Sequence, residues 1–289
     1  MQNCYSHFRR LASSAFISNV DGLMHKRLLL VLSYALGMLL PSCVVYMPMQ
    51  CAAPQITDKN QVEITGSTFL NGRFDIASTY SPVKHLLVRA AYSAVSNDTT
   101  GTEDYSCGKQ YDLGLGTYWR VGDKWLVGAL GGFGTAQSQV AYTSSGFLSR
   151  VSQSKYDLHY NKRFGEIYGT FQANNLFSTG AAFRVTQANF TRLTFDYQPV
   201  ELTSMTRIEP MGFVRLRVGK GSFEERPVQF QVAMGTSSTA GFNERDVNSY
   251  GHLPEGVYAL KRDRYYTTIS VTLFPHCLFR KSPLGNNGQ

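Results

Sequence analysis

Four histidines follow the first apolar run of this chain, His85, His159, His252 and His276, and they are the first place to look for chemistry. A hydrolase acting on lipid needs a serine nucleophile, a histidine to take its proton and a polar group to orient the ring. His159 lies in Tyr156-Asp157-Leu158-His159-Tyr160-Asn161, where strand alternation puts Asn161 on the histidine's face. Serine is so common here that a neighbouring one carries no weight, and the expectation is that the chain is not an enzyme. His85 and His276 fall in turn or tail positions. Glu224-Glu225 is followed by Arg226, which reads as a solvated turn rather than an acid–base couple. Gly131-Gly132-Phe133-Gly134 has no helix after it, so it is no phosphate cradle and reads as tight wall packing. Cys51, Cys107 and Cys277 form no CxxC pair and lie near no histidine at ligand spacing, so no metal or other cofactor is expected.

A different set of polar residues is more informative because of where it recurs. Glu63, Asp75, Arg89, Arg120, Arg184, Arg215 and Arg217 each stand alone among small residues on one face of an alternating run. Mixed-sign charges can pair inside a narrow enclosure where unpaired ones would be costly. The opposite faces of those runs are apolar. Tyr111, Leu113, Leu115, Thr117 and Trp119 alternate with Asp112, Gly114, Gly116, Tyr118 and Arg120. Phe230 and Val232 alternate with Gln229 and Gln231, and Ile269, Val271 and Leu273 with Ser270 and Thr272.

Eleven such runs follow one another between residues 61 and 274, punctuated by turns such as Asn71-Gly72, with one more strand possible in 248–260 and no internal helix expected. With Tyr 17, Phe 18 and Gly 26 against 17% charged residues, the composition is all-β. Lys84, Lys109, Lys124, Lys162, Lys220 and Lys261 are assigned to turns and loops, so the polar faces lack the lysine with which soluble sheets guard their edges. The predicted architecture is a closed antiparallel up-and-down transmembrane barrel of about 10–12 strands, because strands entering hydrocarbon must leave no open edge. Eight residue steps from Tyr111 to Trp119, tilted about 45°, span roughly 19 Å, with aromatics at both ends suited to the two interfaces. The alternative is a soluble lipocalin-like lipoprotein with the apolar faces turned inward around an apolar ligand.

Upstream, His25-Lys26-Arg27 precedes thirteen residues, Leu28 to Leu40, and then Pro41-Ser42-Cys43. That is the layout of an export signal, too short for a spanning helix of about 20 residues. Leu40-Pro41-Ser42-Cys43 resembles the bacterial lipoprotein box and marks Cys43 as the lipidation site. The expected organisation is an upstream segment 1–23 ahead of the true start at Met24, a signal peptide 24–42, a linker 43–60, a barrel 61–274 and a flexible tail 275–289. Removing residues 1–42 takes away four cations and one acid, lowering the charge from +8 to +5. That excess is spread out, so nucleic acid is not an expected partner.

Tyr46-Met47-Pro48, Val62-Glu63-Ile64-Thr65-Gly66, Tyr80-Ser81-Pro82-Val83, Phe190-Thr191-Arg192, Ile208-Glu209-Pro210 and Pro227-Val228-Gln229-Phe230-Gln231 resemble segments of uncharacterised Gram-negative outer-membrane β-barrel proteins. The final run, closing at Phe274, resembles the C-terminal targeting signal of outer-membrane barrels, although about fifteen residues follow it. The resemblance implies an OmpA-like barrel fold and outer-membrane location; outer-membrane lipid and the barrel-assembly machinery are the expected partners, and a monomer is expected. It implies no activity. The lumen charges are expected to plug the barrel.

Overall fold

The computed structural model describes residues 45–98, 104–144, 152–243 and 255–278. Cys43, the signal peptide, the upstream segment and the tail beyond residue 278 lie outside the described residues. By contact density, residues Pro41–Tyr142 and Ser154–Gln289 form one unit, which holds the barrel; of the other unit, Met1–Leu40 with Thr143–Gln153, only residues 143, 144, 152 and 153 are described.

The alternating runs become β1 (Val62–Phe69), β2 (Phe74–Tyr80), β3 (Leu87–Asp98), β4 (Tyr105–Val121), β5 (Trp125–Ser144), β6 (Ser152–Gln172), β7 (Phe177–Phe195), the two-residue β8 (Gln198–Pro199), β9 (Ser204–Val218), β10 (Val228–Thr239) and β11 (Arg264–Leu273). Each long strand pairs with its sequence neighbour. β1 pairs with β11, and β6 with β7, so ten strands close into a ring. β8 merely extends the hairpin after β7. The runs expected at Tyr156–Asn161 and Glu166–Ala173 are one continuous strand. The loop expected at Ser96–Lys109 is shortened from both sides by β3 and β4.

Within the expected extra run at 248–260 lies most of a seven-residue helix instead, α1 (Glu255–Lys261), followed near the C-terminus by the short α2 (Pro275–Leu278). The backbone carbonyls at the end of α1 are taken up by Arg207, whose Nη1 donates to Lys261 O at 3.2 Å and Leu260 O at 3.4 Å. A guanidinium there satisfies orphan acceptors and complements the helix dipole. Sequence periodicity misses this helix because seven residues are fewer than two full periods.

The ring has its apolar side out. Leu115 is 61% exposed, Phe133 63%, and Phe230 and Val232 about half, whereas Gln229 and Gln231 are buried. A water-soluble lipocalin would have these the other way round. Aromatics mark the band's edges: Tyr92 packs on Tyr111 with ring centroids 4.8 Å apart, and Trp125 on Phe171 at 4.9 Å. Below Trp119 and Trp125 the strands turn at once, through Gly122 with φ of +63°, a conformation glycine adopts without strain. At the other end β4 to β7 continue well beyond the band, carrying Lys109, Gln137, Arg163 and Gln187 on their outer face.

Candidate functional site

The lumen is filled, and by more than side chains. Residues Val45 to Ile56, expected as part of a linker, are almost all buried inside the ring without regular secondary structure. A strand finds its hydrogen bonds in a ladder; this segment finds them on the inward faces of the wall. Tyr46 Oη donates to Glu209 Oε1 at 3.3 Å. The Met47 carbonyl accepts from Gln110 Nε2 at 3.2 Å, and the Pro48 carbonyl from Arg73 Nη2 at 2.5 Å. Gln50 donates through its amide to Asp75 at 3.4 Å and through its side chain to Ser270 at 3.2 Å. The Gln55 amide donates to Glu63 at 2.7 Å. Apolar contacts complete the fit: Cys51, Ala52, Ala53 and Ile56 pack with Tyr118, Leu126, Tyr168 and Phe213.

Around this segment the wall charges form connected groups. Asp112 takes Lys162 at 2.7 Å and Arg184 at 3.3 Å, while Arg184 also reaches Glu166 at 2.7 Å. Lys162 donates in addition to Gln110 at 2.7 Å. Glu209 accepts from Thr186 and Ser237, both at 2.9 Å. Arg73 pairs with Asp75 at 3.2 Å and lies over the Phe69 ring at 3.3 Å. Such mutual satisfaction is what permits charges to be buried at all.

Of the residues expected to line the lumen, Glu63, Asp75, Arg89, Arg184, Arg215 and Arg217 are all buried inside it. Arg120 is not. Its side chain is 42% exposed and pairs with Glu224 at the rim, because alternation fails in the last residues of β4, where Trp119 and Arg120 are both exposed beside the turn. Lys162, assigned above to a loop, belongs to β6 and is buried in the lumen, and Lys109 lies on the outer face of β4. Arg73, Asp112, Glu166, Arg207 and Glu209 were not singled out. Their signal was present, since each sits on the small-residue face of an alternating run or directly before one.

Arg215 donates to Gln231 at 2.6 Å and Arg217 to the Arg226 carbonyl at 2.9 Å, its guanidinium 3.7 Å from the Phe274 ring centroid. Arg89 and Arg215 each turn one nitrogen, Nη1, toward no protein acceptor among the described residues. Both line a cavity of about 40 Å³ beside Gln50 and Cys51, shared with Glu63 and Asp75. That is room for a water or two and is too small for an organic ligand.

His159, the candidate base, faces outward above the band. Its Nε2 is 3.6 Å from Asp157 Oδ1, and Asp157 is held by Arg192 at 3.0 Å. Among the described residues no group of three His, Cys, Asp or Glu converges as a metal site, and the three described cysteines form no disulfide with one another.

No family model and no curated protein matches the chain. Among solved structures it is similar to the N-terminal β-barrel domain of Pseudomonas aeruginosa OprF, at 8% identity over 75% of this chain and 98% of that one, with a TM-score of 0.30. It is also similar to the outer-membrane protease OmpT of Escherichia coli, at 10% identity over 75% and 94%, with a TM-score of 0.39. At these scores the likeness carries no argument, and the functional conclusion is drawn from the chain's own geometry.

Proposed function

We propose that this chain is a monomeric outer-membrane β-barrel whose lumen is kept shut by its own residues 45–56, a structural or surface-presenting protein rather than an open channel or an enzyme. The outward apolar band and the edgeless ring support the membrane setting. The single observation that carries the closed state is the burial of Val45 to Ile56 against charged wall residues along the lumen. A lipid on Cys43 belongs to the same proposal, and mass spectrometry of the mature N-terminus tests it.

The closed state is tested by conductance. Purified protein in a planar bilayer is expected to show no steady current, and a variant whose mature chain begins at Thr57 is expected to conduct. Large stable channels from the intact protein would refute it.

A further inference from the structure

The buried segment has a direction. Val45 packs among Tyr156, Leu158, Leu193 and Leu260, with Val200 and Leu202 beside them. These belong to the end of the ring where β7 connects to β9 and where the 24 residues between β10 and β11 carry α1. Tyr46, Met47, Pro48 and Gln50 then meet Glu209, Gln110, Arg73 and Asp75 of the wall. At the other extreme Gln55 and Thr57 lie with Arg120, Asp123 and Trp125, beside the three-residue turn between β4 and β5. Thr57 to Gln61 bend the chain, the Thr57 amide donating to Gln61 Oε1 at 2.7 Å, and β1 runs back up the wall. Eleven steps of chain can reach about 36 Å when extended, enough to traverse the ring.

In outer-membrane barrels the short turns face the periplasm and the longer loops face outward. We propose that the N-terminal side of the segment, at Val45, opens on the cell exterior. The proposal rests on residues 45–56 staying in the lumen. The wall layer around Val45 stands well outside the apolar band: from Val185, the last outward apolar residue of β7 before Gln187, to Leu193 there are eight residues, about 19 Å of height at the usual tilt. Cys43 precedes Val45 by two residues, at most about 7 Å of chain. A group carried on Cys43 is therefore outside, since the way back to the periplasm is the lumen that the chain itself fills.

The test uses the full precursor with a short epitope placed between Cys43 and Val44, and the same epitope in two comparison proteins, after Asn248 in the β10–β11 connection and after Asp123 in the β4–β5 turn. Antibody binding is measured on intact and on permeabilised cells. The epitope at Cys43 is expected to bind equally well before and after permeabilisation, as the one after Asn248 does, while the one after Asp123 binds at least tenfold less on intact cells. An epitope at Cys43 that is reached only after permeabilisation overturns the proposal, and so does reversal of the two comparison proteins. Conductance of the tagged protein separates the two readings: a silent barrel with a hidden epitope keeps the closed lumen and loses the direction, whereas steady channels remove the closed lumen and the proposal with it.

Discussion

Asp112 takes two buried cations at once, since Lys162 and Arg184 both reach it while all three are at most 3% exposed. Replacing it by alanine leaves Lys162 without its acid and strips Arg184 of one of two. Breaking a buried pair from one side costs about 3–5 kcal/mol, because the remaining charge is neither solvated nor paired. Arg120→Ala removes an exposed rim pair with Glu224 and is expected to cost under about 1 kcal/mol. Urea titration of the two variants in detergent, followed by the gel shift between unheated and heated samples, measures the difference. Equal midpoints would show that the lumen charges are far better hydrated than their burial indicates. The contrast also shows what the sequence offered at this scale. Alternation placed most of the isolated charges on the inner face, but it could not pair them. The partners of Asp112 lie 50 and 72 positions away and are brought together by curvature of the ring. Nor could it see that β4 leaves the alternation at Trp119, which puts Arg120 outside.

A strand is legible as an element because its period is two and each face meets a single environment. That is why β4, β10 and β11 were legible as strands, although β4 begins at Tyr105, six residues before the run expected from Tyr111, and why the direction in which the faces look decides the whole architecture. Leu115 tests that direction. It sits at the centre of the outward row Tyr111–Trp119 and is 61% exposed. Leu115→Arg is expected to cost about 2–4 kcal/mol in a lipid bilayer, the penalty for a cation at mid-membrane depth. Unfolding in vesicles measures it, and a change below about 0.5 kcal/mol would mean that this row meets water. The inner face has its own constraint at Gly132 on β5. A Cβ there would lie 2.7 Å from the Phe164 ring and 2.8 Å from the Gly114 Cα, and Phe164 in turn supports the Arg184 guanidinium at 4.5 Å. Gly132→Val is therefore expected to cost about 1–3 kcal/mol by overpacking. The accompanying loss of the Arg184 pairs is read as a lower urea midpoint than that of Gly131→Val, where a Cβ meets nothing closer than 3.6 Å. The segment from Val45 to Ile56 has no such legibility. It has no period, because its partners change from glutamate to arginine to apolar ring with each residue, and a stretch without a period reads as linker.

For the whole molecule, the balance of buried charge matters more than any one pair. Among the described residues Arg73, Arg89, Lys162, Arg184, Arg207, Arg215, Arg217 and Arg264 are buried with Glu63, Asp75, Asp112, Glu166 and Glu209, an excess of three positive charges within the ring. The segment in the lumen contributes no charged side chain between Val45 and Ile56, so it fills space and hydrogen-bonds without offsetting that excess. It also occupies the acceptors and donors that would otherwise bind mobile ions: Arg73 gives one N–H to the Pro48 carbonyl, and Glu63 takes the Gln55 amide. Emptying the lumen should thus convert a silent barrel into a selective one. The chain that begins at Thr57 is expected to pass anions in preference to cations, because a narrow passage with low-dielectric walls and one excess sign of charge concentrates the opposite ion. In a potassium chloride gradient its reversal potential should move toward the chloride equilibrium value, and the shift should shrink as salt rises and screening shortens the reach of the wall charges. Substituting Arg89 and Arg215 together by glutamine in that shortened chain should carry the reversal potential back toward zero. A cation-selective current from the parent shortened protein would mean that the arginines on the inner faces do not line the path the ions take.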